Sequence, residues 1–175
     1  MDEREYILEL QVLWPRGSSS SEPNFEATLK TLALADDAVR AFPQSPKLWC
    51  MRGDLIQQGS EESAYALEDA LLSYERALAV NPMFAEAHES IGYYFDVIDE
   101  DFVRSEAAFL EAIRCGGGES SVAGLARVLA ERGKPISDIL VMIDRHDIDH
   151  SSVLKEVREE IASGSWQPEQ ENEET

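Results

Sequence analysis

Two histidines near the C-terminal end of the chain have a spacing that could bind a metal ion. His146 and His150 are four residues apart, and on a helix this spacing places both imidazole rings on one face. Only the intervening Asp147 and Asp149 offer further ligands. A polar turn between two helices, with Asp149 or Ser151 capping the second helix, explains the same residues. We therefore predict no metal site here.

Three other segments carry residue types that are used in catalysis or ligand binding. Asp96–Asp101 is rich in carboxylates but lacks the spacing and the central glycine of a calcium loop. Gly116–Gly118 lacks the Lys-Ser/Thr pair of a phosphate loop and follows a predicted helix instead of a strand. The serine run in residues 16–23 has no nucleophile-elbow motif around it. We predict a turn, a helix terminator and a flexible loop, and accordingly neither an enzyme nor a bound cofactor.

The charge balance excludes two classes of partner. Lys and Arg total 15 and Asp and Glu total 35, which gives a formal net charge of −20. Nucleic acids are bound through clusters of Lys and Arg, and anionic membranes attract the same residues, so neither partner is expected. With 43% hydrophobic residues, the chain of 175 residues can form a packed core.

The cysteines and the N-terminus indicate a cytoplasmic protein. Cys50 and Cys115 match no metal-binding or redox spacing, so packed thiols are predicted. The first segment, Met1-Asp2-Glu3, carries two acidic residues where a signal peptide needs a basic flank.

Apolar residues recur every three or four positions along most of the chain, which predicts helices. Residues 1–14 fit either a strand or a helix, and we predict a helix. A last helix over residues 151–163 is expected to begin after Ser151 and to end at Gly164. The other apolar stripes run over Phe25–Phe42, Leu67–Leu78, Ile91–Phe102, Phe109–Ile113, Leu125–Leu129 and Ile136–Ile143.

Two segments in the middle of the chain repeat each other. The matching pairs are Trp49 with His88, Gly53 with Gly92, Tyr74 with Phe109 and Ala77 with Ala112. The two later pairs are offset by 109 − 74 = 35 residues, close to the roughly 34-residue period of a helical hairpin repeat. The residues of the first segment that carry the pattern are Trp49, Gly53, Ala70, Tyr74, Ala77 and Pro82. Their pattern resembles the signature of the tetratricopeptide repeat (TPR) family, most clearly over residues 47–117.

The resemblance implies an all-α fold of antiparallel helix hairpins, stacked as a short right-handed solenoid. Residues 1–164 would form this repeat domain, closed by the helix at 151–163, and residues 165–175 would be an acidic disordered tail. The sequence departs from the family pattern at Gly59–Ser63, which lengthens the first hairpin. In the second hairpin, His88 stands at the large-residue position, Ser105 where alanine is usual and Gly117 where proline is usual.

The resemblance also implies a binding groove, lined by the first helices of successive hairpins. One helix would present Lys47, Cys50, Asp54 and Gln57, and the next would present Glu86, Glu89, Tyr93 and Asp96. Four carboxylates and one lysine give these positions a net charge of −3. The subset of the family that binds chaperone tails uses Lys, Arg and Asn at the matching positions, which hold Cys50, Asp54, Glu89 and Tyr93 here, so that activity is not expected.

These observations predict a non-catalytic module that binds a basic protein or peptide segment in an acidic groove. An immunity or inhibitor protein that neutralises a basic toxin or nuclease is an alternative with the same fold. A metal-dependent enzyme using His146 and His150, an assembly component and an acidic surface without a partner are the remaining readings.

Overall fold

The computed structural model describes residues 1–15, 26–60, 63–146, 151–166 and 168. In these ranges the chain forms nine α-helices and no strand, with one isolated bridge between Ala27 and Gly59. The all-α prediction is therefore confirmed for this part of the chain. The predicted loop at 16–23, His150 and most of the tail at 165–175 lie outside the described residues. No described helix has both the length and the apolar character needed to cross a membrane.

The first of two compact units covers Met1–Ser90. Its helices are α1 (Glu3–Val12), α2 (Leu29–Ala41), α3 (Pro46–Gln57), α4 (Glu68–Val80) and the beginning of α5 (Ala85–Val97). Successive helices from α1 to α4 pack against each other. Leu48 and Leu55 of α3 and Ala70 and Ala77 of α4 are fully buried.

Polar side chains cap three of these helices. Asp2 accepts a hydrogen bond from Glu5 N at 2.8 Å, and Glu5 accepts one from Asp2 N at 2.7 Å, which is a complete capping box. The helix predicted for residues 1–14 is therefore confirmed over Glu3–Val12, and the capping box stabilises its first turn. Thr28 caps α2, and Ser45 caps α3 immediately before Pro46, a residue suited to the first helical position.

The second unit covers Ile91–Thr175. It contains the end of α5 and the helices α6 (Phe102–Arg114), α7 (Glu119–Glu131), α8 (Ile136–His146) and α9 (Ser152–Ser163). Helix α7 packs against α6, α8 and α9. The side chains that form the core of α7, α8 and α9 include Val122, Ala126, Ile139, Ile143, Leu154, Val157 and Ile161.

The last helix has the boundaries that the sequence predicts. Ser151 Oγ accepts hydrogen bonds from Val153 N and Leu154 N at 3.1 and 3.3 Å. Gly164 ends the helix in the left-handed conformation, at φ 77°, which favours glycine because it has no side chain. The carboxylate-rich segment is also a turn between α5 and α6, in which Asp101 accepts from Arg104 N at 3.0 Å, but its first residue, Asp96, belongs to α5.

Glycines allow an aromatic ring to approach a helix backbone in both units. In the first unit the ring of Tyr74 lies against Gly53. In the second, Phe109 lies between two glycines: a β-carbon would be 2.8 Å from its Cδ1 at Gly92 and 2.5 Å from its Cε1 at Gly124. Any larger residue at these positions would displace the ring.

Candidate binding surface

Four residues of α3 that the repeat register places on a groove lie along one face of that helix. Lys47, Cys50, Asp54 and Gln57 are spaced by three, four and three residues, which is one helical stripe. Lys47 Nζ forms an ion pair with Glu86 of α5. Both side chains are more than a third exposed, so this pair contributes little to stability.

Asp54 is the centre of a hydrogen-bond network in the first unit. Its Oδ1 accepts from the Tyr74 hydroxyl at 2.9 Å and from Ser90 Oγ at 3.0 Å. Gln57 Nε2 donates to the Tyr74 hydroxyl oxygen at 2.8 Å, and Cys50 Sγ lies 3.6 Å from Ser90 Oγ. The stripe on α3 is therefore joined through side chains to α4 and to α5.

Burial shifts the pKa values of three members of this network upward. It raises the pKa of the Asp54 carboxyl, although the hydroxyls of Tyr74 and Ser90 partly oppose the shift. It also raises the pKa of the Cys50 thiol and of the Tyr74 hydroxyl, and the charge of Asp54 adds to both shifts. Cys50 therefore stays a thiol at neutral pH, and the network supplies no activated sulfur nucleophile.

These contacts change the interpretation of Cys50. The repeat register assigns it to the binding face, but its side chain is only 2% exposed. A partner cannot contact this residue in the observed structure, because the side chain is buried with its Sγ against Ser90 Oγ. Cys50 therefore packs in the interior, whereas Lys47, Asp54 and Gln57 of the same stripe are half-buried. Glu86 on α5 is exposed.

His88 replaces Trp49 in the second repeat with a matching hydrogen bond. Trp49 Nε1 donates to Pro43 O at 2.9 Å, and His88 Nε2 lies at the same 2.9 Å from Pro82 O. Since a carbonyl only accepts, this ring nitrogen of His88 is the donor. Ser105, which stands where alanine is usual, is buried and donates to Gly92 O at 2.8 Å. The polar groups of both residues that depart from the family pattern therefore have hydrogen-bond partners.

In the second unit, two predicted groove residues of α5 lie beside α7. The Tyr93 hydroxyl donates to Ser120 O at 3.0 Å, and its ring packs edge-on against Phe109 with centroids 4.9 Å apart. Asp96 is partly buried, which raises its pKa, while the charge of Arg127 acts in the opposite direction. Helix α7 therefore supplies the hydrogen-bond acceptor of Tyr93 and a positive charge that acts on Asp96.

Glu131, at the end of α7, adds a carboxylate that the sequence analysis did not identify. Its Oε2 is buried and has no hydrogen-bond partner among the described residues. Burial raises the pKa of Glu131, and the negative charges of Asp96 and Glu100 raise it further. The ionised form of Glu131 is therefore energetically unfavourable, and a cation bound beside it would stabilise that form.

A cavity of about 350 Å³ opens beside Glu131. The residues that line it include Phe102 and Trp166. Trp166 Nε1 donates to Glu160 at 3.1 Å, and the guanidinium of Arg127 lies 5.3 Å from the centre of the indole. A carboxylate and aromatic residues lining one cavity form a combination that suits a lysine or arginine side chain.

The sequence analysis did not include Ser90, Glu131 or Trp166 among the candidate residues, and only Ser90 has a spacing that could have indicated it. Ser90 follows Glu86 by four residues and precedes Tyr93 by three, so it lies on the predicted α5 face and could have been included. Glu131 and Trp166 come from α7 and from the segment after α9. No spacing in the sequence indicates that these two residues meet.

The structure describes only one of the candidate metal ligands, so it does not test whether they meet. His146 is exposed at the end of α8, and His150 lies in the part of the chain that is not described. Cys50 and Cys115 form no disulfide.

Comparison with known proteins identifies the fold. No family model matches the sequence, and no curated protein matches it. Among solved structures, the chain is similar to TTC0263, a thermophilic TPR protein from Thermus thermophilus, with a TM-score of 0.67 and 16% sequence identity. The similarity covers 94% of this chain and 82% of that one. The described residues therefore have a TPR-like, all-α fold.

Proposed function

We propose that this chain is a non-catalytic interaction module that binds a basic segment of another protein. The observation that carries the proposal is the buried, unpartnered Oε2 of Glu131, with the charges of Asp96 and Glu100 acting on it. A lysine or arginine of a partner would supply the missing donor and offset the repulsion between these carboxylates. The TPR-like fold supports an interaction role, since helical repeats present extended surfaces to partners.

Several features support a basic partner over a neutral one. The net charge of −20 attracts cations from a distance and raises their rate of association. The cavity beside Glu131 has room for one long side chain, and its aromatic walls favour a cation over an aliphatic group. Glu86 and Glu89 of the predicted groove are two further acidic residues, in the first unit.

A peptide titration tests the proposal. A labelled peptide of alternating arginine and glycine should bind the full chain, and its affinity should fall as salt rises. Glu131→Gln should weaken binding about tenfold, since a charge-assisted hydrogen bond contributes about 1.5–3 kcal/mol. Glu75→Gln removes an exposed carboxylate of α4 and serves as the control with the same charge change. Equal affinities of the two variants, or an affinity that salt does not alter, would contradict the proposal.

A further inference from the structure

A pocket in the first unit concentrates positive charge in this acidic chain. It has a volume of about 360 Å³ and lies among α2, α3 and α4. Arg40, Arg52 and Arg76 contribute to its wall, against the two carboxylates of Asp36 and Asp69. Three positive charges and two negative ones leave the lining at +1, whereas the whole chain carries −20.

Arg52 is held in place by contacts with three neighbours. Its Nε donates to Asp36 Oδ1 at 2.8 Å and its Nη1 donates to Ser73 Oγ at 2.6 Å. The guanidinium also lies 5.0 Å from the centre of the Tyr65 ring. The side chain of Arg52 is only 16% exposed and is already held in place. Binding of a ligand therefore carries no entropy cost for ordering this side chain.

The other two arginines lie nearer the solvent. Arg40 donates to Asp36 O at 3.3 Å and pairs with Asp37 on its own helix. Arg76 forms no hydrogen bond or ion pair with any residue that the structure describes. Its donors are therefore available to a ligand, and a guanidinium matches the two oxygens of a carboxylate.

Apolar groups complete the wall of the pocket. The Trp49 indole is fixed by its hydrogen bond to Pro43 O, and Leu72 is 56% exposed. Tryptophan and arginine together are the residue types that dominate binding energy at protein interfaces. On α3, Arg52 points away from the stripe that contains Cys50 and Asp54, because it is two residues from each and two residues along a helix correspond to a rotation of about 200°.

We propose that this arginine pocket binds an acidic peptide segment of a partner protein. A carboxylate of the segment is bound by Arg76 and attracted by Arg40 and Arg52, while a neighbouring apolar residue packs on Trp49 and Leu72. Charge complementarity selects this occupant, because Arg76 has no acidic partner among the described residues, whereas Arg40 and Arg52 already pair with Asp37 and Asp36. The proposal does not depend on the proposed function, which concerns carboxylates of the second unit.

Binding of a labelled peptide of alternating leucine and glutamate to the full chain tests the pocket. Arg76→Gln should weaken binding about tenfold, because it removes a charge-assisted contact. Arg145→Gln, which removes an exposed arginine of α8, is the control with the same change in net charge. Arg76 is exposed, so its variant should keep the thermal stability of the parent protein.

Two further measurements distinguish a site for a peptide from a site for any small anion. Replacing each glutamate of the peptide by glutamine should abolish binding, and inorganic phosphate should compete only weakly because it lacks the apolar contacts. The proposal is overturned if Arg76→Gln and Arg145→Gln bind the peptide equally. It is also overturned if the glutamine peptide binds as well as the glutamate peptide, or if phosphate displaces the peptide as effectively as unlabelled peptide does.

Discussion

The ring of Tyr74 on α4 lies directly against the backbone of Gly53 on α3. A β-carbon at position 53 would lie 2.8 Å from Cζ of Tyr74, well inside van der Waals contact. The same approach brings the Tyr74 hydroxyl within hydrogen-bond distance of Asp54, the residue that follows Gly53. One glycine therefore permits both the close packing of the hairpin and the hydrogen bond to the candidate surface.

Gly53→Ser should destabilise the first unit by about 1–3 kcal/mol, since overpacking a filled interior forces side chains or backbone to move. Gly118→Ser is the matched control, because a β-carbon there has nothing within 4 Å and the residue is the N-cap of α7, where serine is favoured. Urea unfolding followed by circular dichroism measures both variants. Equal stability of the two would show that the Tyr74 ring can move away from position 53 without loss.

Two adjacent residues of α6 should respond very differently to truncation. Phe109 is fully buried between Gly92 and Gly124, whereas Leu110 is 49% exposed. Phe109→Ala should cost about 3–5 kcal/mol through lost burial and the cavity left behind. Leu110→Ala should change stability by less than about 0.5 kcal/mol. Thermal unfolding monitored by tryptophan fluorescence compares the two, and similar costs would contradict the observed burial.

The repeat pattern predicted the fold well because its residues pack against each other within one helix hairpin. The positions of Gly53 and Tyr74 reflect contacts within one hairpin, and such contacts recur at a fixed spacing. The helix ends at Ser151 and Gly164 were likewise predictable, since capping depends on residues adjacent in sequence. At these positions, contacts between residues close in sequence are enough to determine the structure, so the sequence pattern predicts it.

The candidate site was less predictable, because the sequence does not show which side chains meet across helices. Cys50 and Asp54 lie on the same helical stripe, yet one is buried in the core and the other accepts two hydroxyl hydrogen bonds. Glu131 and Trp166 line one cavity although they are far apart in the chain. Helical periodicity defines a face but does not specify which neighbour covers it.

Asp54→Asn should make the protein more stable at neutral pH. Burial raises the folded-state pKa of Asp54 above its ordinary value of 3.8. The contribution of this group to stability is therefore full below pH 3.8 and is lost as pH rises through the folded-state pKa. Asparagine has no charge to bury, and its carbonyl oxygen can still accept from Tyr74 and Ser90.

The stability gained by Asp54→Asn should consequently grow as pH rises from about 4 to 7. Unfolding free energies at several pH values measure this trend. Glu75→Gln, on the exposed side of α4, controls for the loss of one negative charge from the chain. Parallel pH profiles for the parent protein and Asp54→Asn would show that the carboxylate is not penalised by burial.

Glu131→Gln should move stability and binding in opposite directions. Burial, together with the charges of Asp96 and Glu100, raises the pKa of Glu131, so its ionised form opposes folding at neutral pH. Removing the charge should raise the melting temperature at pH 7, and this gain should shrink as the pH falls and Glu131 becomes protonated in the parent protein. The same change should weaken binding of a basic peptide about tenfold. A carboxylate that only supports the fold would lower stability when replaced and leave peptide affinity unchanged, so measuring both quantities on one variant separates a binding residue from a structural one.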